Sequence, residues 1–120
     1  MHKYKELKVW QKAVNLATEV YKLTALFPKE EKYGLTQQLQ RAVVSIASNV
    51  AEGAGRNSNA EFKMFLGYAN GSSYELETQI TIANNLNYIN KTESENLLLQ
   101  LEEIQKMLSA LTKTLSPEKI

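Results

Sequence analysis

SNAEFKMFLGYANGSSYELETQITIANNLN, residues 58–87, decides the fold. Phe62, Leu66, Ala69, Ser73, Leu76, Ile80 and Ala83 recur at steps of 4, 3, 4, 3, 4 and 3. On a helix this spacing makes one continuous row, in the heptad register that suits left-handed packing near about +20°. Ser58 and Glu61 stand at capping-box spacing: the hydroxyl can accept from the Glu61 N–H while the carboxylate reaches back. The pattern predicts one helix over residues 58–88, about 43 Å long at 1.5 Å per residue. A weaker stripe of Met64, Tyr68, Gly71 and Ile82 lies on its far side, interrupted by Glu75 and Thr78.

Such a helix must bury its row against others, and the flanking segments supply them. Thr92 and Glu95 have the spacing of a second capping box, opening a helix over 92–115 with Leu97, Leu101, Ile104, Leu108, Leu111 and Leu115 as its row. Leu35, Leu39, Ala42, Val43, Ile46 and Val50 give a helix over 35–53. Its opposite face is polar, with Gln37, Gln38, Arg41, Ser45, Ser48, Asn49 and Glu52; it reads as a solvated face, although the small side chains among them could let a second helix or a ligand approach closely.

The first helix, over 6–26, carries two interleaved series. One is Leu7, Trp10, Val14, Ala17, Tyr21 and Thr24; the other is Val9, Ala13, Leu16, Val20, Leu23 and Phe27. Together they cover about half the circumference, more than the roughly 100° stripe that one core contact needs. Two readings stay open: a helix deeply set in its own bundle, or one that also meets a second subunit. Val9, Ala13, Leu16 and Val20, with Met64 and Tyr68 of the third helix, are the candidates for such an interface. The fold class expected is all-α, an up-down-up-down four-helix bundle with left-handed packing that assembles into a cyclic homo-oligomer, with residues 1–120 as one domain.

SNVAEGAGRNS, residues 48–58, is glycine-rich but follows a helix rather than a strand, and lacks the Gly-Lys-Ser/Thr of a phosphate-binding loop. It reads as a helix–helix corner, with Gly53 or Gly55 supplying a left-handed residue and Ser58 capping the next helix. Arg56 is left over by that account.

The chain has no cysteine, which excludes disulfides, thiolate nucleophiles and zinc–thiolate sites. Its one histidine, His2, stands at a terminus expected to fray. Histidine triads, histidine metal sites and the Glu-x-x-His pairs of di-iron bundles therefore lack their central residue. No enzymatic activity, metal or cofactor is expected. No apolar run approaches the ~20 residues of a membrane span, and no signal-peptide core follows the basic N-terminus; a cytoplasmic protein is the expectation.

Net charge is +1, so there is no global signature of a nucleic-acid binder. Residues 1–63 nevertheless hold ten Lys/Arg against six Glu, and residues 64–120 four against seven. The candidates for contact with RNA or DNA are Lys3, Lys5, Lys8 and Lys12 near Tyr4 and Trp10, together with Arg41, Arg56 and Lys63. The competing reading is a protein-binding or structural oligomer that touches no nucleic acid.

KYKELKVWQKA (residues 3–13) and FPKEEKYGLTQQLQRAVVSIASNVAEGAGRNSNAEFKMFLGYANGSSYELETQ (residues 27–79) resemble the four-helix-bundle family encoded in the intervening sequences of bacterial 23S rRNA genes. The resemblance runs from residue 3 to about residue 115. It implies a cytosolic, non-enzymatic bundle that assembles as a homopentamer, and it brings no catalytic residue. The family is similar to the accessory protein of diversity-generating retroelements, which implies a nucleic-acid-binding role.

Overall fold

The computed structural model describes residues 2–115. It holds four α-helices: α1 Lys8–Thr24, α2 Leu35–Ala54, α3 Asn59–Asn85 and α4 Lys91–Thr114. Short 3-10 turns at Tyr4–Glu6 and Lys29–Glu31 precede α1 and α2, and no strand occurs among the described residues. Each helix packs on two others: α1 on α2, α2 on α3, α3 on α4 and α4 on α1. The expected rows fill the space between them. Every member of the α3 row from Phe62 to Ala83 is buried, as are Leu39, Val43, Ile46 and Val50 of α2 and Leu97, Leu101, Ile104 and Leu108 of α4. Ser73, the one polar member of the α3 row, is fully buried but bonded: its hydroxyl donates to the Asn70 carbonyl at 2.6 Å and accepts from Gln105 Nε2 at 3.3 Å. A buried hydroxyl with partners at both ends costs little.

The helix ends follow local chemistry, with some departures from the expected boundaries. Ser58 caps α3 as expected, its Oγ accepting from the Glu61 N–H at 3.1 Å. The box that opens α4 is Asn90 and Glu93 rather than Thr92 and Glu95: Asn90 Oδ1 accepts from the Glu93 N–H at 2.7 Å, and the Asn90 N–H donates to Glu93 Oε1 at 2.9 Å. Asparagine caps at least as well as threonine, and starting there keeps Ile89 buried directly before the helix. α1 begins at Lys8, because Tyr4–Glu6 forms a separate 3-10 turn. α3 ends at Asn85, earlier than expected. Asn87 takes the left-handed conformation (φ 62°), the Tyr88 N–H donates to the Ala83 carbonyl at 2.9 Å, and the Asn87 N–H donates to the Asn84 carbonyl at 3.0 Å. That is a Schellman stop, with asparagine standing in for the usual glycine.

Glu31 ties the far end together. Its Oε1 accepts from the Leu35 N–H at 3.1 Å, capping α2, and its Oε2 accepts from the Tyr88 hydroxyl at 3.0 Å. The hydrogen bond to Glu31 raises the Tyr88 phenol above its ordinary value, with desolvation and the nearby charges of Glu31 and Glu30 adding to it.

The α2–α3 corner corrects the role expected for its glycines. Neither is left-handed: no glycine among the described residues has positive φ, and Gly55 sits at φ −84°, ψ −4°. Gly53 is needed for space. A Cβ built there would lie 2.7 Å from Phe65 Cβ and 2.9 Å from Phe62 Cδ1, whereas one at Gly55 would meet nothing closer than 3.5 Å. Gly53→Ala should therefore cost about 1–3 kcal/mol through overpacking, while Gly55→Ala should be close to neutral. Urea unfolding of the two variants checks this; equal tolerance would mean that α3 does not press on α2 at Gly53.

Candidate interaction surfaces

α1 turns its two series in different directions. Val9, Ala13, Leu16 and Val20 are 3%, 0%, 0% and 2% exposed. This corrects their expected place at a subunit interface: α2 and α4 pack over that face, so these four side chains belong to the core of the single chain. The other series, Trp10, Val14, Ala17 and Tyr21, stands at the α1–α2 boundary. There it lines an open groove of about 480 Å³ with Val44, Ala47, Ser48 and Ala51 of α2. The groove is apolar and its α2 side is small. It runs on, past Tyr21 and Val44, into a more polar hollow of about 450 Å³ rimmed by Gln37, Gln40 and Arg41. The wide apolar arc of the sequence therefore resolves into one buried series and one that is left half-covered. Of the α2 face named from the sequence, Ser48 lines this groove, while Arg41 and Ser45 line the hollow beyond it; periodicity alone did not say which α1 series would meet α2.

On α3 the far stripe is exposed. Met64 and Tyr68 are 47% and 52% exposed, and Ile82 is 43% exposed. Tyr68 is held edge-on to Phe65, with ring centroids 5.5 Å apart. A Cβ added at Gly67 or Gly71 would meet nothing within 4 Å.

The expected cations fall into two groups. The N-terminal turn is strapped to the α2–α3 corner rather than frayed: the His2 N–H donates to the Ala54 carbonyl at 2.9 Å, and its ring lies 4.9 Å from that of Phe62. Tyr4 stacks edge-on against Trp10 at 5.2 Å. Lys3, Lys5 and Lys8 thus sit at the corner end of the bundle, exposed and without an ion pair among the described residues, near the start of α3 with its half-buried Lys63. Lys12 is paired with Glu103 at 2.9 Å. Arg56, the residue the corner left over, is engaged as well. It meets Glu52 at 2.7 Å and Glu61 at 3.8 Å, and its guanidinium lies 4.6 Å from the centroid of Phe65. Arg41 is exposed at the rim of the α1–α2 hollow.

The profile of the 23S rRNA-intervening sequence protein family matches residues 5–110. The chain belongs to that family. A crystal structure of a protein of unknown function from the S23 ribosomal protein family of Bacteroides thetaiotaomicron is similar to it. The two share 25% sequence identity and a TM-score of 0.79, over 88% of this chain and 98% of the other. No curated protein matches the sequence.

Among the described residues of this family member, no group of three or more His, Asp or Glu side chains is placed to hold a metal ion. No helix there is long and apolar enough to cross a membrane. The assignment of the α1 series is open to a direct check. Leu16→Ala should lower the unfolding free energy by about 2–5 kcal/mol, whereas Leu26→Ser, at a side chain 81% exposed, should change it by about 0.5 kcal/mol or less. Comparable small losses at both positions in urea titrations would place Leu16 outside the core.

Proposed function

We propose that the chain is the non-catalytic building block of a homomeric ring whose repeated basic ends hold nucleic-acid backbone weakly and without sequence preference. In this reading the subunit is an up-down-up-down bundle with left-handed packing, and five is the copy number that the family resemblance implies. The heptad spacing of the α3 row supports the packing. The half-covered α1–α2 groove and the exposed stripe on α3 support the assembly. The lack of cysteine and the use of the lone histidine in packing against Phe62 support a non-catalytic role.

The observation that carries the nucleic-acid part is the strap at His2. It fixes Lys3 and Lys5 at the end of the bundle where α1 begins with Lys8, and the three make no ion pair among the described residues. One subunit offers few contacts, but a ring repeats them on one surface, and linked weak contacts gain by effective concentration. A protein scaffold without nucleic-acid contact is the second reading. It is favoured by the pairing of Lys12 and Arg56 with glutamates, which neutralises two of the candidate cations.

Binding to unrelated single strands and duplexes, followed against salt concentration, separates the two. Each phosphate neutralised contributes about −0.9 to the slope of log K against log salt on duplex DNA, and about −0.7 on single strands. Lys3, Lys5 and Lys8 changed together to Gln should flatten that slope and weaken all sequences alike. Binding that survives the change would move the site to Arg41 and Lys63. No binding of RNA, single strands or duplex even at low salt would leave the scaffold reading standing.

A further inference from the structure

We infer that the exposed face of α3 in one copy seats in the α1–α2 groove of the next. This rests on the proposed assembly and supplies its interface. Three observations lead to it. The groove is an apolar trough whose α2 side presents Ala47, Ser48 and Ala51, so a helix can come close. The α3 face is the matching ridge: Met64, Tyr68 and Ile82 stand out from it, while Gly67 and Gly71 leave its backbone bare. Glycine inside a helix is less favourable than alanine, and outside the adjoining turn of helix no described residue lies within 4 Å of where a Cβ would stand at either position.

The third observation is that the two surfaces match in height and in charge. Ser72 Oγ donates to Ser45 Oγ at 2.8 Å, which fixes the level of α3 against α2. Gln40 Nε2 donates to Thr24 Oγ1 at 3.1 Å, which fixes α1 against α2. Tyr68, about one turn from Ser72, then stands at the level of Ala47 and Ala51, the middle of the groove. Glu75 stands at the level of Arg41, and neither has an ion pair among the described residues. Copies related by rotation about an axis along the bundle keep these levels. Tyr68 of one copy thereby enters the groove of the next beside Ala47, and Glu75 faces Arg41 across the rim. The ridge and the groove lie on different sides of the subunit, so the contact is head-to-tail, the kind that forms a ring when the rotation between copies closes.

The absence of native cysteine makes a clean cross-linking test possible. Met64→Cys and Ala51→Cys are prepared as separate full-length chains, their folding is checked by circular dichroism, and they are treated with a short bismaleimide alone and after mixing. The expected result is linked dimers in the mixture and almost none in either chain alone. Linking within the Met64→Cys sample alone, or no linking in a mixture whose sedimentation mass is that of a multimer, overturns the interface and leaves the assembly reading intact. A mass of one chain overturns both. The register has its own test: Arg41→Glu and Glu75→Arg should each shift the mass downward, and the double variant should restore it. Singles that assemble as the parent does, or a double variant no better than the singles, overturn the Arg41–Glu75 pairing.

Discussion

The missing side chain at Gly53 lets Phe62 and Phe65 of α3 lie against the backbone of α2, and much of the molecule depends on that contact. It brings the start of α3 hard against the end of α2, so that the corner between them can be only a few residues long. Phe62 then offers its other side to His2, and the Ala54 carbonyl takes the His2 N–H. Phe65 offers its face to Arg56 and stands perpendicular to the ring of Tyr68. One close approach in the core thus sets the N-terminal strap, the arginine of the corner and the aromatic at the lower end of the α3 ridge.

The surfaces that carry the proposed function are by-products of how the bundle closes. With four helices packed each on two neighbours, α1 can bury only one of its two apolar series. The other meets an α2 face with small side chains and leaves a trough rather than a sealed seam. A folded chain gains nothing by leaving such a trough and an apolar ridge exposed to water unless something covers them. In the proposed assembly a second copy covers them, its ridge matching the trough in height, apolarity and charge. The basic end is a separate feature. It owes its position to the strap at His2, and its charge to three lysines that make no ion pair among the described residues.

Much of the fold was legible in the sequence, because burial along a helix writes itself as spacing. The α3 row, the α2 row and the α4 row each recur at helical steps, and Ser58 announces its helix by a cap. What periodicity could not decide was a choice between equals. Both α1 series are apolar, so only the positions of α2 and α4 show that Val9, Ala13, Leu16 and Val20 are interior. Asn90 and Thr92 are both competent caps, and only the folded chain shows that the box closes between Asn90 and Glu93. Glycine at a corner can serve conformation or space, and the sequence does not distinguish them; Phe62 and Phe65 do. Arg56 was legible as a charge but not as a paired one, since Glu52 and Glu61 come together around it only when the corner folds.

The central claim is that the α1–α2 groove is covered by another copy of the chain in solution. Trp10 is the only tryptophan and lies in that groove, half-covered in a single subunit. Its quenching by acrylamide in the unmodified protein, followed through a dilution series, reads the cover directly. The account predicts a protected tryptophan at high concentration that becomes more accessible as the assembly dissociates. Strong quenching of equal extent at every concentration would contradict it.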